Sequence, residues 1–346
     1  MKIFKRLTFL IILFIPIFYS YGHGMFEGVI TEVIEETVSE DVIFQKLEVS
    51  LTNGEEVKVE NDSQNTGRST EFKKGNKILL QKLQVGDSER YIITDYYRFD
   101  FLIFLFIIFI ILSVLIGKKH GFYSLIGMAF SFLVIFKFIL PQIVVGRNPV
   151  FITIIASFFI IPVTFYLSHG FNKKTHIAIV STFIALIFTS ILTAISVNLA
   201  NLTGYSSDEA MFLQISNTTI NMKGILLAGI IIGFLGVLDD VTVSQSSIVE
   251  QLKKSNRNLG TFEIYKNAMK VGRDHIASMT NTLVLVYAGA SLPLLLMFIN
   301  NPQPFGQVVS MELIADEIVR TLVGSIGLIL AVPLTTLLAS IVGDGE

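Results

Sequence analysis

The 346-residue chain is 52% hydrophobic and only 16% charged, and its mean hydropathy is +0.66. Soluble domains carry about 25% charged residues, so this composition excludes an ordinary soluble protein and predicts a polytopic membrane protein. The absence of cysteine excludes disulfides, thiolate metal sites and a cysteine nucleophile, and a net charge of -2 without a basic stripe argues against nucleic acid as a partner.

Residues 1–21 begin with three basic side chains and continue with an apolar core that Pro16 interrupts. This pattern is typical of a signal peptide. The small-x-small site at Ser20–Gly22 is poor, and an uncleaved N-terminal anchor is therefore favoured over a cleaved signal peptide. In both cases the segment that follows is exported.

Residues 22–98 are predicted to form an extracytoplasmic domain rich in β-strands. Five short segments alternate apolar and polar side chains, and two of them are joined through Asn53-Gly54, a strong hairpin signal. A second turn is predicted at Lys74-Gly75-Asn76. Five strands in so small a domain favour a closed or half-closed barrel, of which an OB-like fold is one form.

Residues 99–343 are predicted to form an α-helical membrane bundle, because their apolar runs are long enough for about seven spans. The predicted spans are Phe99–Ile116, Phe122–Leu140, Phe151–Leu167, Ile177–Leu199, Gly224–Ser247, Ile276–Ile299 and Val319–Val342. A short helix is predicted within residues 206–215. The interior loop 251–275 has apolar residues at roughly helical spacing and is predicted to lie as an amphipathic helix on the membrane surface.

The basic residues between the spans predict the orientation of the chain. Lys118 and Lys119, Lys173 and Lys174, and the basic residues of loop 251–275 fall in alternate loops. Cytoplasmic loops of membrane proteins carry the excess of lysine and arginine. These loops are therefore predicted to be cytoplasmic, which places residues 22–98 outside and the C-terminus inside.

A row of small and polar residues on the fifth span is the strongest candidate for function. At 100° per residue its members lie within roughly 80° of one another on one helix face. We call this row the glycine face; it consists of Gly229, Gly233, Gly236, Asp240, Ser244 and Ser247. Small residues at this spacing allow close helix packing, so the face is predicted to point into protein and to shield the Asp240 carboxylate from lipid. The alternative is a span end at which Asp239 and Asp240 simply reach water.

Three blocks of the sequence, LAGIIIGFLGVLDDVTVSQSSIV, KVGRDHIASMTNTLVLVYAGASLPLLLMF and EIVRTLVGSIGLILAVPLT, resemble the YibE/F family of bacterial membrane proteins. The outer segment, with VEND, FKKGNKILL and ITDYYR, is similar to the extracytoplasmic part of that family. The resemblance implies a multi-pass protein of the bacterial cytoplasmic membrane and does not imply an activity.

Two further clusters carry charges. Arg273 and Asp274 open the sixth span, and in the last span Asp316, Glu317 and Arg320 lead into a glycine stripe at Gly324 and Gly327. Both glycine stripes are predicted to face one bundle interior, with an ion pair or relay between Asp240 or Asp239 and Arg273. Simpler readings are a helix-dipole role for Asp274 and an i,i+3 pair of Glu317 with Arg320. The predicted pathway residues are Asp239, Asp240, Ser244, Arg273, Asp274, Asn281, Glu317 and Arg320.

These clusters favour a transporter or channel for a small ion or polar solute, because ionisable groups at membrane depth usually mark ion pathways. The alternative is an envelope scaffold or assembly factor that acts through its outer domain. An intramembrane aspartyl hydrolase is disfavoured, since no GxGD-type element is present. Neither an enzyme nor a cofactor is expected. The expected partners are the lipid bilayer, a small ion or polar solute, and other subunits through glycine-rich helix faces.

Overall fold

The computed structural model describes residues 25–39, 42–62, 70–85, 88–216, 219–299 and 304–342. The chain divides into two compact units, residues 1–116 and 117–346, and each is considered by itself. The predicted signal peptide or anchor in residues 1–21 lies outside the described residues. The domain boundary between residues 98 and 99 stays a prediction.

The first unit contains an antiparallel sheet of five strands in the order β3-β2-β1-β4-β5. The strands are β1 (Met25–Ser39), β2 (Val42–Leu51), β3 (Glu56–Asp62), β4 (Lys77–Val85) and β5 (Ser88–Tyr96). The sheet curls, so that its two outer strands β3 and β5 approach each other. The five predicted strands are confirmed, and the OB-like form stays a prediction.

Both predicted turns of this unit have glycine where the backbone requires it. Gly54 follows β2 with φ 85° and Gly75 precedes β4 with φ 86°, a region that other residues rarely adopt. The hairpin between β2 and β3 is closed by a hydrogen bond from the Leu51 amide to the Glu55 carbonyl, 2.8 Å long. The Asn-Gly signal therefore predicted this hairpin correctly.

A buried glutamine fixes the segment before β4 to the sheet. The side chain of Gln45 is fully buried among aliphatic residues such as Leu47 and Val49. Its amide donates to the Phe72 carbonyl at 2.9 Å, and its oxygen accepts from the Phe72 amide at 2.9 Å and from Asn61 at 3.2 Å. Buried polar groups are costly unless they are paired, so this network specifies one position for the segment around Phe72.

We expect the excised fragment 25–97 to fold alone, since it has its own hydrophobic core. Gln45→Ala strands the amide and carbonyl of Phe72 and should lower the free energy of unfolding of the fragment by about 2–4 kcal/mol. Urea denaturation followed by circular dichroism measures this change. Gln81→Ala, at an exposed position on β4, is the control and should change it by less than about 0.5 kcal/mol. A random-coil spectrum of the fragment, or equal losses in both variants, would contradict the expectation.

The remaining described elements are helices. They are α1 (Phe99–Val134), a π-helical turn (Ile135–Ile139), α2 (Leu140–Val144), α3 (Pro149–His169), α4 (Lys173–Leu199), α5 (Asp208–Ser216), α6 (Met222–Ser255), α7 (Thr261–Ala290), α8 (Leu292–Ile299), α9 (Phe305–Val309) and α10 (Glu312–Ile341). Within α1 the backbone leaves helical geometry at Lys118, with φ 51° and ψ -122°. This break separates the first two predicted spans.

Asparagine side chains start three of the long helices. Asn148, Asn172 and Asn221 have extended backbones, and their side-chain oxygens accept hydrogen bonds from amides in the first turns of α3, α4 and α6. Such N-caps satisfy amides that have no partner inside the helix. Each cap stabilises its helix by about 1 kcal/mol, and none of them needs a partner from another helix.

The second unit is organised around α4, α6 and α10, which pack against one another, while α3 packs on α6 and α7 on α10. Close approach depends on small and hydroxyl side chains. Thr182 of α4 and Thr242 of α6 share a hydrogen bond of 2.8 Å between their hydroxyls. Gln245 of α6 donates to the Ala268 carbonyl of α7 and to the Thr336 hydroxyl of α10. Buried hydrogen bonds thus fix the register of four helices.

Five helical segments among the described residues are long and apolar enough to cross a membrane, namely Phe99–Val144, Pro149–His169, Lys173–Leu199, Met222–Ser255 and Glu312–Ile341. A membrane-spanning helical part is therefore confirmed, and the count of seven spans stays a prediction. The predicted interior loop 251–275 is wrong in extent, because α6 continues to Ser255 and α7 begins at Thr261. The predicted amphipathic segment is continuous with the predicted sixth span in α7, and Gly272 between them does not interrupt the helix, because it packs closely against Gln245 and Val332.

Candidate functional site

A cavity of about 300 Å³ lies between α1, α3 and α6 in the second unit, and Asp239 lies in its wall. The Oδ1 atom of Asp239 is buried and has no hydrogen-bond partner. A buried carboxyl oxygen without a donor is costly in a protein and most often marks a bound ion, a proton or water. Asp239 is therefore the centre of the candidate site.

Hydroxyl groups surround the cavity on two of its walls. They belong to Ser124 and Ser131 of α1 and to Thr164 and Ser168 of α3. The hydroxyls of Ser131 and Thr164 donate to carbonyls of their own helices, which leaves their oxygen lone pairs available as acceptors. Apart from Asp239, the rest of the wall is apolar and includes Gly236 of the glycine face. The cavity thus offers one carboxylate and several neutral oxygens in apolar surroundings, a set of ligands suited to a proton or a small cation.

Charged and titratable groups lie on the predicted cytoplasmic side of this cavity. The His120 ring is bonded through Nδ1 to the Ser168 carbonyl at 2.8 Å. His169 lies within electrostatic range of His120, Lys174 and Asp240, and Asp240 in turn acts on Asp239. The packing of α1, α3 and α6 therefore brings two histidines to the neighbourhood of the two carboxylates. A proton-accepting ring near a carboxylate is a usual component of a relay in membrane proteins.

The structure places the glycine face differently from the prediction. Gly229, Gly233, Gly236 and Asp240 are exposed. A Cβ atom added at Gly229 or Gly236 would meet no described atom within 4 Å, and one at Gly233 would meet only the Tyr287 hydroxyl at 3.6 Å. The prediction that this face packs inside the bundle and shields Asp240 is wrong for the described residues. Helical periodicity identifies a face but does not say which neighbour covers it.

The second glycine stripe is partly as predicted. Gly327 of α10 is buried, and a Cβ atom there would lie 2.3 Å from the Thr189 hydroxyl of α4 and 2.4 Å from the Phe234 ring of α6. Close packing at Gly327 is therefore confirmed. The prediction that both stripes face one interior is wrong, since Gly327 points into the bundle and Gly233 points away from it.

The predicted partner of the carboxylates also lies elsewhere. Arg273 and Asp274 are exposed near the middle of α7, as is Asn281. Among the described ion pairs none joins Arg273 to Asp239 or Asp240. The predicted ion pair within one chain is therefore wrong. Ser244 is half-buried on α6 and does not line the cavity.

A second buried carboxylate lies near the start of α10. Asp316 is 3% exposed; its Oδ2 accepts a hydrogen bond from the Ser206 hydroxyl, and its buried Oδ1 has no partner. Glu317 forms an ion pair with Arg320 at 3.4 Å, as the i,i+3 spacing predicts, and the Nε atom of Arg320 is buried without a partner. This cluster is distinct from the Asp239 cavity, whose wall contains no residue of α10.

The loop that carries Ser206 is held by Glu312 in the first turn of α10. The Glu312 carboxylate accepts hydrogen bonds from the amides of Thr203 and Gly204 and from the Thr203 hydroxyl. Gly204 has φ 83°, and a Cβ atom there would lie 2.6 Å from the Met222 carbonyl oxygen. Glu312 thus orders the loop, and the loop delivers the Ser206 hydroxyl to Asp316.

Sequence reasoning missed several of these groups. The hydroxyls of the cavity, His120, His169 and Ser206 are not among the predicted pathway residues. A usable signal was present, because Thr164 and Ser168 lie four residues apart on an otherwise apolar span and therefore share a face. The described residues contain no group of three or more histidine, aspartate or glutamate side chains that could hold a metal ion.

One comparison with known proteins gives a match. The family model described as YibE/F-like protein matches residues 105–344, which is more than two thirds of the chain. No curated protein and no solved structure matches it. The matched region includes the cavity, Asp239 and the Asp316 cluster.

Proposed function

The chain belongs to the YibE/F-like family, and from that premise we propose that it is a membrane transporter or channel that carries a small cation, a proton included, through the Asp239 cavity. The observation that carries the proposal is the buried Oδ1 atom of Asp239, which lacks a partner at the wall of a cavity rich in hydroxyls. A scaffold needs no such group, because an unpaired buried polar atom destabilises the fold.

Each part of the site has a role in this proposal. Asp239 supplies the charge that attracts and binds the cation, and the oxygens of Ser131 and Thr164 replace part of its hydration shell. His169 and the nearby Lys174 contribute positive charge at the predicted cytoplasmic end of the cavity. At the predicted outer end, Asp316 is a second carboxylate that a cation meets before it reaches the bundle centre.

The orientation is part of the proposal and predicts a reporter pattern. Basic loops are cytoplasmic by the positive-inside rule. We expect a reporter enzyme that works only in the cytoplasm to be active when it is fused after Lys119, Lys174 or Asn258, and inactive after Asn65 or Asn217. Activity at Asn65 would reverse the inner and outer ends of the pathway.

Growth and uptake profiling tests the proposed function. A strain that lacks the protein should grow or accumulate ions abnormally when one cation or the external pH is varied, and the wild-type chain should restore it. The strain should tolerate detergents and cell-wall inhibitors normally. Sensitivity to those agents alone, without any cation or pH phenotype, would contradict transport.

A scaffold that acts through the outer domain is the second candidate. The observation that favours it is a set of exposed aliphatic side chains on the sheet, such as Ile34 at 48%, Ile92 at 39% and Leu83 at 37% exposure, because exposed apolar groups often mark a contact surface. Deleting residues 25–97 should then abolish the phenotype by itself, while Asp239→Asn should leave it unchanged. The reverse pattern supports transport.

A further inference from the structure

The exposed glycines of α6 form a strip at the surface of the second unit. Among the described atoms, only the Tyr287 hydroxyl lies within 4 Å of a Cβ atom added to any of them, and Gly236 also lines the Asp239 cavity. Gly229, Gly233 and Gly236 lie along one of the five apolar helices. Glycines gain little stabilisation from contact with lipid, because they have no side chain, whereas a strip of glycines allows the backbone of another helix to approach closely. The strip alone does not say which helix that is, and two charges next to it do.

Asp240 and Arg273 are exposed, have opposite charge, and have no ion-pair partner among the described residues. They lie at the same depth. The side chain of Gln245 reaches the Ala268 carbonyl, which fixes the level of α6 against α7. These helices run in opposite directions, and Asp240 and Arg273 each lie five residues from that contact, about 7.5 Å along the axis and on the same side of it.

We propose that the chain forms a two-fold symmetric dimer in which the glycine face of one copy packs on that of the other, and Asp240 of each copy pairs with Arg273 of the second copy. The occupant of the strip is therefore a second copy of this chain. In a two-fold interface, any contact of residue i with residue j occurs twice. Each copy presents the glycine strip with one carboxylate and one guanidinium group at the same depth. When two copies face each other, each carboxylate therefore meets the guanidinium group of the other copy. This inference does not require transport, and the two proposals share only Gly236, which lies on the glycine face and in the wall of the Asp239 cavity.

The absence of cysteine makes the dimer directly testable in native membranes. Gly229→Cys and Gly236→Cys introduce a thiol where a Cβ atom meets no described neighbour, so the full-length variants should fold. We expect a mild oxidant to convert each variant into a disulfide-linked dimer on a non-reducing gel. Ile191→Cys is the control, since Ile191 is 56% exposed on α4. Thr189 of α4 and Phe234 of α6 both meet a Cβ atom added at Gly327, which places Ile191 near the depth of Gly233. This control should give only the low level of random collisions.

Charge reversal tests the pairing between copies. In Gly236→Cys chains, Asp240→Lys or Arg273→Asp alone should lower the disulfide-linked fraction by about threefold or more, because like charges then face each other twice. Two differently tagged chains, one with Asp240→Lys and the other with Arg273→Asp, should link to each other when they are coexpressed, since both trans pairs are then opposite in charge. Pairing within one chain would not give this rescue.

The linked fractions distinguish the dimer from the trans ion pairs. A linked fraction at Gly229 and Gly236 no higher than at Ile191 would overturn the dimer. A high linked fraction that is insensitive to both charge reversals, or no recovery in the coexpressed pair, would overturn the trans ion pairs. Equal membrane abundance and one monodisperse peak in detergent establish that the charge variants are folded, so a loss of linkage is not a loss of protein.

Discussion

Asp239→Asn should abolish function while the protein still inserts and accumulates. The amide has nearly the volume of the carboxyl group, so the cavity between α1, α3 and α6 keeps its shape. Among the described residues of that wall Asp239 is the only carboxylate, so the variant removes the charge that binds the cation. We expect transport to fall by about tenfold or more, because one charged contact contributes roughly 1.5–3 kcal/mol.

The neighbouring carboxylate provides a matched control. Asp240 is next in sequence but exposed and outside the cavity wall, so Asp240→Asn should retain most of the transport activity. Asp239→Glu should retain part of the transport activity, since it keeps the negative charge and displaces it by one methylene group. Equal loss in Asp239→Asn and Asp240→Asn, at equal abundance, would show that the cavity is not the site.

Gly327→Ala should cause the largest loss of stability of any single change considered in the second unit. The added methyl group would lie 2.3 Å from the Thr189 hydroxyl and 2.4 Å from the Phe234 ring, and both atoms belong to packed helices. The three central helices must move apart to admit it. Overpacking of this kind costs about 1–3 kcal/mol, and we expect the thermal midpoint in detergent to fall by about 5 °C or more.

Gly324→Ala is the control for that variant, because Gly324 is buried on the same helix one turn earlier and a Cβ atom there meets nothing within 4 Å. Alanine favours helix over glycine by about 1 kcal/mol, so this variant should be neutral or slightly stabilised. A similar drop in both variants would mean that glycine is needed for flexibility rather than for close packing. Scanning fluorimetry of the purified variants makes the comparison.

Local signals predicted the five-stranded sheet of the first unit well. The hairpin at Asn53-Gly54 and the turn at Gly75 depend on backbone angles that few residues other than glycine adopt, and alternation of side chains marks strands at short range. The role of Gln45 could not be predicted in this way. Its partners Asn61 and Phe72 are brought to it only by the completed sheet.

In the second unit, sequence patterns identified the charged clusters but did not identify the helices and side chains that surround them. Gly233 and Gly327 have similar neighbours in sequence, yet one is exposed and the other is packed against α4 and α6. Periodicity gives the angle of a residue around its own helix, whereas burial depends on the arrangement of the other helices. For the same reason the helical wheel favoured Asp240, and the assembled bundle places Asp239 in the cavity wall.

Cation flux into liposomes that contain only the purified protein tests the central claim most directly. A pH-sensitive dye and dyes selective for sodium and potassium would be enclosed in the vesicles, and flux would start with an imposed gradient. The account predicts that the wild-type chain conducts at least one of these cations well above empty vesicles, with less than about a tenth of that rate in Asp239→Asn. No flux above empty vesicles, or an equal rate in both proteins, would contradict it.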